Sequence, residues 1–371
     1  MASEFARDIL ASPGERRVND IVHVLTGVGS STSLATAKAF LDKVNAPSTC
    51  LAYGTYNDLA KNPDIDIVYI ATPHSHHFQN AMLALHSGKH VLCEKPLTVN
   101  ADQAKCLFAL AEKKNRFIME GMWTRFQPIG TEIRRLLDVQ AVGKITRIVA
   151  DNSIGMNPLR DFDPQDRMVN KNLAGGALLD LGVYSIQWVT QHLPKELRRP
   201  EEVHSVVSKH ASTGVDESTA IILKFPASGC GESGVIGIVS ASLRTTDSYD
   251  GQSPVIRIQG DKGEIQIFGP SWRPSHLHVI EREQGFEMIG NRVHEFKNHI
   301  PKERYGLGYQ ADEVGICIRD GKLQCPLMSS DDTILSMEIM DRVRQSHGLE
   351  FPEEIESTTY PLALSIATRS P

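Results

Sequence analysis

No stretch of this 371-residue chain stays apolar for the ~18 residues that suggest a membrane span. It also lacks a block of lysine and arginine. With a formal net charge of −6, binding of nucleic acid through a basic face is not expected. The opening residues, MASEFARDILASPGERR, lack the charged-then-apolar order of a secretory signal. The six cysteines (Cys50, Cys93, Cys106, Cys230, Cys317 and Cys325) are scattered and form no Cys-x-x-Cys pair. They suggest neither a zinc site nor a disulfide framework, and read as free thiols of a cytoplasmic protein. No internal repeat or low-complexity tract is present. What remains is an ordinary soluble composition, 41% hydrophobic and 23% charged. Domains of roughly 100–200 residues are typical, so the length predicts two.

The first third alternates strand-like and helix-like segments. IVHVLTGV (Ile21–Val28) is rich in β-branched residues and runs into a polar loop. SLATAKAFLDKV follows as a helix with Ser33 as its N-cap. Asp66–Ala71 (DIVYIA) is apolar with almost no alternation, which suits a parallel strand buried on both faces. A helix over 78–87 ends at Gly88, and KHVLC (Lys89–Cys93) is the next strand. A helix over 101–114 leads to a short strand at 116–119. This order predicts a parallel, doubly wound sheet, whose ligands bind at the carboxyl ends of the strands.

The residues just past those ends are Gly29-Ser30-Ser31-Thr32, Thr72-Pro73-His74-Ser75-His76-His77, Glu94-Lys95-Pro96 and Gly121-Met122-Trp123. Lys95 follows a buried strand directly, so it would be partly desolvated. Such a lysine can donate hydrogen bonds and polarise a hydroxyl or carbonyl. The tripeptide alone equally suits a surface loop. His74, His76 and His77 could ligate zinc, but no acidic residue or cysteine stands near them in sequence.

The run IVYIATPHSHHFQNAMLALHSGKHVLCEKP (Ile67–Pro96) closely resembles the core of the glucose–fructose oxidoreductase / inositol dehydrogenase / MocA (Gfo/Idh/MocA) family. The resemblance implies that Lys95 contacts the nicotinamide ribose and the substrate hydroxyl. It places the Thr72–His77 turn along the cofactor and explains the histidines without a metal. Thr72, Pro73, His74, His76 and Glu94 are then cofactor-side residues.

NLAGGALLDLGVYSIQW (172–188) is a second strong segment. Leu173, Leu178, Leu179 and Ile186 give an apolar helical face. Asp180 and Tyr184 lie four apart and so project from one face. Gly175 and Gly176 would let this helix start close to a ligand or another backbone. Taken alone, Asp180 and Tyr184 also suit a structural hydrogen bond. RMVNKNLAGGALLDLGVY (Arg167–Tyr184), MWTRF (Met122–Phe126) and VIRIQGDKGEIQIFGP are similar to a subgroup of the family, the dimeric dihydrodiol dehydrogenases and fungal NADP-dependent D-xylose dehydrogenases. That resemblance implies Tyr184 as acid/base partner, its phenolate favoured by Lys95. It makes Asp180 a holder of substrate or lysine, and Trp123 and Arg125 part of the substrate site, with core packing as the alternative for Trp123. The second domain reads mainly as strands (144–151, 219–225, 234–242, 255–260, 264–268 and 277–280). They predict a large, mainly antiparallel sheet with an open face, which in the family often joins two subunits.

One departure concerns the start. Relatives open with an apolar strand and a Gly-rich turn before a helix much like SEFARDIL, whereas this chain begins at the end of that turn. Two explanations stand: a start codon recorded too far downstream, or a truncated paralogue with impaired cofactor binding that serves as a non-catalytic dimeric binding or regulatory protein. A second departure concerns the cofactor. Ser30, Ser31 and Thr32 follow the strand with no Asp or Glu to bind a bare ribose diol, which favours NADP over NAD. The expected organisation is α/β plus α+β: a Rossmann-like, doubly wound domain over 1–125, and a substrate and dimerisation domain over 126–371. The expected reaction is hydride transfer between NADP(H) and a CH–OH carbon of a sugar or diol.

Overall fold

The structure, a computed structural model, describes residues 1–18, 20–227, 229, 233–282 and 290–364. Cys230 lies outside them. The chain divides into two compact units. One comprises Met1–Phe126, Ile300–Thr333 and the residues from Pro352; the other comprises Gln127–His299 and Ile334–Phe351. The first unit therefore takes back chain from beyond the single boundary expected at 125/126.

In the first unit, helix α1 (Ala2–Leu10) buries Phe5 and Ala6. The Phe5 ring stacks on Tyr69 at a centroid distance of 3.7 Å. The alternation then runs β1 (Gly27–Gly29), α2 (Leu34–Lys43), β2 (Leu51–Tyr53), α3 (Tyr56–Lys61), β3 (Ile67–Ile70), α4 (His74–His86), β4 (His90–Glu94), α5 (Ala101–Lys113) and β5 (Ile118–Gly121). Ser33 caps α2 by accepting the Thr36 N–H, and Thr55 and Asn100 cap α3 and α5 in the same way. The parallel strands form two sheets among the described residues, β1–β2 and β3–β4–β5.

The strand expected from Ile21 is shorter than its β-branched composition suggested. Only Gly27–Gly29 pairs. Val22 and Val24 are 74% and 75% exposed, while Ile21 and His23 turn inward toward Gly315. Propensity without a ladder partner did not extend the strand.

The second unit holds α6 (Pro128–Asp138), β6 (Ile145–Ser153), α7 (Pro158–Asp161), a π-turn (Leu178–Gly182) running into α8 (Val183–Thr190), and then β7 (Glu202–Lys209), β8 (Asp216–Lys224), β9 (Ile236–Ser242), β10 (Ile256–Gly260), β11 (Gly263–Phe268), β12 (His276–Glu281) and β13 (Asn291–Lys297). The eight strands form one sheet in the order β13-β12-β11-β10-β6-β9-β8-β7. All its pairs are antiparallel except β6–β9. β7 and β13, its two edges, were not anticipated.

Helix α8 packs on β6 and β9. Its apolar residues are fully buried, each worth about 1.5–3 kcal/mol by removal from water. Three polar bonds fix its pose: Ser185 Oγ to the Ser240 carbonyl at 2.9 Å, Asn152 Nδ2 to the Leu181 carbonyl at 3.1 Å, and Trp188 Nε1 to the Ser271 carbonyl at 2.9 Å. Elsewhere on the sheet Val206 and Ile222 stay 72% and 52% exposed.

The chain returns through α9 (Gly308–Arg319), α10 (Ser330–His347) and α11 (Glu353–Glu356). The start of α9 is held by Asp8 of α1. Its carboxylate accepts the N–H groups of Gly306 at 2.8 Å and Leu307 at 2.7 Å. Arg16 adds a bidentate pair with Asp312 at 2.7 and 3.0 Å and donates to the Asp8 carbonyl at 2.9 Å.

Candidate active site

On the first unit, β4 carries Glu94 to its end and Lys95 follows, both buried. The Tyr69 hydroxyl, from the neighbouring β3, donates to Glu94. Burial pushes the Glu94 carboxyl up, against the opposing pull of that bond and of the Lys95 charge. The Lys95–Pro96 peptide is cis.

The Thr72–His77 segment is not a free turn, because α4 begins at His74. Its anchor is His77, whose ring nitrogens lie 2.8 Å from the Pro96 and Thr72 carbonyls. His77 therefore ties the segment after β3 to the segment after β4. Burial, helped by the neighbouring His74, pushes its pKa down to about 3, so the ring is neutral and one N–H serves one carbonyl at a time. His76 Nδ1 lies 2.8 Å from Ser75 Oγ, and Thr72 Oγ1 accepts from Asn80 Nδ2 at 3.1 Å.

Past β1, the Ser30 N–H donates to the Tyr53 carbonyl and Ser30 Oγ accepts the Thr32 N–H, both at 3.1 Å. Ser31 sits between them in an exposed turn that leads into α2. The turn presents hydroxyls and a helix N-terminus, and no carboxylate. That surface suits a phosphate group better than a sugar diol.

Trp123 is 1% exposed and lies tilted against Tyr305, with ring centroids 6.5 Å apart. Arg125, expected in the substrate wall, is buried. Its Nη1 donates to the Leu327 carbonyl at 2.8 Å and lies 3.5 Å from Asp332. Glu120, which sequence reasoning passed over, is buried at the end of β5. It accepts the Leu97 N–H and the Thr333 hydroxyl, and burial pushes its carboxyl up.

On the second unit, Asp180 is buried in the π-turn and paired with Arg167 Nη1 at 3.0 Å. Tyr184 is buried on the first turn of α8 and adds its field to that of Asp180 on Arg167, so Arg167 holds its proton more tightly than usual. Arg167 was not singled out from the sequence, although it opens the quoted motif. The π-turn also corrects the assumption that Asp180 and Tyr184 sit four apart on a regular α-helix. A π-turn closes its hydrogen bonds one residue later, and such turns recur at functional sites.

Gly175 and Gly176 do permit a close approach, and its partner is protein. A Cβ on Gly175 would lie 2.6 Å from the Arg167 carbonyl oxygen. One on Gly176, at φ +124°, would lie 2.3 Å from Asp216 Oδ1. The Asp216 carboxylate occupies that space to accept the Leu178 N–H at 2.6 Å and the Thr219 hydroxyl at 3.0 Å.

Residues 1–122 match the Gfo/Idh/MocA oxidoreductase family, NAD-binding Rossmann fold, and residues 131–266 match the GFO/IDH/MocA C-terminal domain. The chain belongs to the Gfo/Idh/MocA oxidoreductase family. It is 39% identical to a D-xylose 1-dehydrogenase (NADP(+)) from Hypocrea jecorina, over 97% of this chain and 93% of that protein. It is 36% identical to a trans-1,2-dihydrobenzene-1,2-diol dehydrogenase from Xenopus tropicalis, over 87% and 90%. Among solved structures, an aldose-aldose oxidoreductase from Caulobacter crescentus shares the fold with a TM-score of 0.69 at 23% identity, covering 88% of this chain and 90% of that one. As a Gfo/Idh/MocA member with named dehydrogenases among its relatives, the chain is an oxidoreductase, and the non-catalytic alternative has no support in these relatives. Among the described residues no helix is long and apolar enough to cross a membrane.

Proposed function

We propose that this chain is an NADP-dependent dehydrogenase acting on a CH–OH group of a sugar or diol, with D-xylose (oxidised to its lactone) and a trans-dihydrodiol as the first substrates to test. The observation that carries the reading is Lys95. It is a buried lysine at the end of a parallel strand, preceded by a buried Glu94 that a tyrosine hydroxyl engages. This is the strand edge where doubly wound sheets bind ligands.

NADP+, when bound, supplies the hydride acceptor, and the protein supplies binding, orientation and proton transfer. Ser30, Ser31 and Thr32 take the 2′-phosphate with hydroxyls and backbone amides. Thr72, Pro73, His74 and His76 lie along the cofactor, and Glu94 and Lys95 hold its ribose. Lys95 Nζ orients the reacting hydroxyl and lowers its pKa, and Tyr184 Oη takes the proton. Asp180, oriented by Arg167, holds the substrate, and Trp123 lines the substrate site, with Arg125 behind it held by the Leu327 carbonyl and Asp332. NAD is the alternative cofactor, and the ratio of kcat/KM for the two discriminates them. The exposed apolar positions on the sheet, Val206 and Ile222, favour assembly as a homodimer through that sheet.

The test is Lys95→Ala, assayed with NADP+ against D-xylose and a trans-dihydrodiol. Turnover should disappear while the circular-dichroism spectrum stays that of the wild type. A variant that retains more than roughly a tenth of the wild-type rate, a barrier change of only ~1.4 kcal/mol, overturns the assignment.

A further inference from the structure

Two cysteines that stand apart in sequence meet in the first unit. Glu313 and Cys317 are four residues apart on α9, so they share a face. Cys325 lies in the segment between α9 and α10. Glu313 Oε1 is 3.8 Å from the sulfur of Cys317 and 3.8 Å from that of Cys325, and all three ligand atoms fall within 4.8 Å of one another. Both cysteines are fully buried, and Glu313 is half-buried.

The spacing matches a tetrahedral metal. With Zn–S near 2.3 Å and Zn–O near 2.0–2.2 Å, tetrahedral edges are about 3.8 Å between sulfurs and about 3.5 Å between sulfur and oxygen. The two sulfur–oxygen edges need to contract by only a few tenths of an ångström, and the sulfur–sulfur edge, within 4.8 Å, by about 1 Å at most. The donor set is also right in kind, because thiolates with a carboxylate select zinc over magnesium or calcium.

A second observation concerns Cys325 itself. The Met328 N–H donates to the Cys325 carbonyl at 3.2 Å, closing a tight turn from which Cys325 presents its sulfur 3.8 Å from Glu313 Oε1. Lys322, whose charge reaches Cys317, would offset part of the excess negative charge of two thiolates and a carboxylate around a dication.

The geometry points to a zinc site at Glu313, Cys317 and Cys325, with water as the fourth ligand from the half-exposed side of Glu313. Binding would displace the thiol protons to solvent. Its role would be structural, pinning α9 to the segment whose Leu323 carbonyl accepts the Ile118 N–H of β5 and whose Leu327 carbonyl receives Arg125. The scatter of cysteines along the sequence hid this cluster, which only the turn after α9 assembles.

The experiment uses the full chain, reduced and stripped of metal, titrated with Co2+. A thiolate-to-cobalt band in the near ultraviolet should saturate at one equivalent and vanish on addition of Zn2+. Cys325→Ser and Cys317→Ser should abolish the band, although the other four cysteines remain. Glu313→Gln, a change of no volume, should weaken cobalt binding at least tenfold. Zn2+ should also raise the wild-type melting temperature where Mg2+ does not, a readout that stands even if a cysteine variant fails to fold. Absence of both the band and the zinc-dependent rise overturns the proposal. So does a band that survives Cys325→Ser, or a reduced pair that re-forms a disulfide in air and takes up no metal.

Discussion

Gly176→Ala tests whether the start of the Asp180 segment is held as described. Gly176 sits at φ +124°, where a side chain strains the backbone by about 1–3 kcal/mol. The new Cβ would stand 2.3 Å from Asp216 Oδ1, so the carboxylate must move. Moving it breaks the 2.6 Å bond from the Leu178 N–H, a charge-assisted bond worth about 1.5–3 kcal/mol. The expected loss is therefore about 2.5–6 kcal/mol. For a unit of this size that lowers the melting temperature by roughly 5–24 °C, measured by circular dichroism. Turnover should fall as well, because Asp180 begins two residues beyond Leu178. A second substitution isolates the cause. In an Asp216→Ala background the clash partner is gone, so adding Gly176→Ala should cost only the backbone strain, and the two effects should not add. A Gly176→Ala protein within ~0.5 kcal/mol of wild type would refute the reasoning, since that is the range of a featureless surface change. Strict additivity with Asp216→Ala would refute the assigned clash.

Tyr184→Phe should cut kcat by ~10²–10⁴-fold with a smaller change in KM; a rise in KM at unchanged kcat would make Tyr184 a binding residue instead. Asp8→Ala leaves the Gly306 and Leu307 N–H groups without their acceptor. At about 1–3 kcal/mol per buried unsatisfied group it should destabilise by about 2–6 kcal/mol, and Asp8→Asn by clearly less, in urea titrations. Asp216 titrates near 6 because burial disfavours its charge, above the usual carboxylate range. A folded-state pKa raised in this way means that the folded protein takes up the proton first on acidification. Relative to Asp216→Asn, the wild type should gain stability as pH falls from 7 through 6 toward 4, with little further change below. An unchanged difference between the two melting curves across that range would contradict it.

Much of the first unit was legible because its strands advertise themselves. DIVYIA and KHVLC are apolar without alternation, and Lys95 is conspicuous directly after the second. The edges of the large sheet were harder to see. β7 and β13 carry His204, Ser205, Arg292 and Glu295 among their apolar residues, the mixed composition that protects an edge strand and blurs its signature. Contacts distant in sequence were invisible in principle. Nothing near Asp8 announces that it caps a helix 300 residues away, and nothing near Cys317 announces Cys325. Arg167 was missed for another reason: an arginine in a loop is usually a solvated charge, and only the fold turns it onto Asp180. The π-turn was hidden because LLDLG satisfies an α-helical pattern equally well.

That turn sets a rule for engineering the enzyme. A π-turn is an α-helix carrying one surplus residue, so removing one position from Leu178–Gly182 should be absorbed by a relaxation to ordinary helix. The backbone would tolerate the edit and the flanking turns would keep their mutual orientation, but Asp180, which lies within the turn, would shift about the helix axis relative to Tyr184. Asp180 and Tyr184 would then no longer present their oxygens in the same relative directions. Length changes here are therefore the kind that a stability screen passes and an activity screen rejects. A library that samples insertions and deletions along this helix should show that split at these five positions and not two turns later in α8.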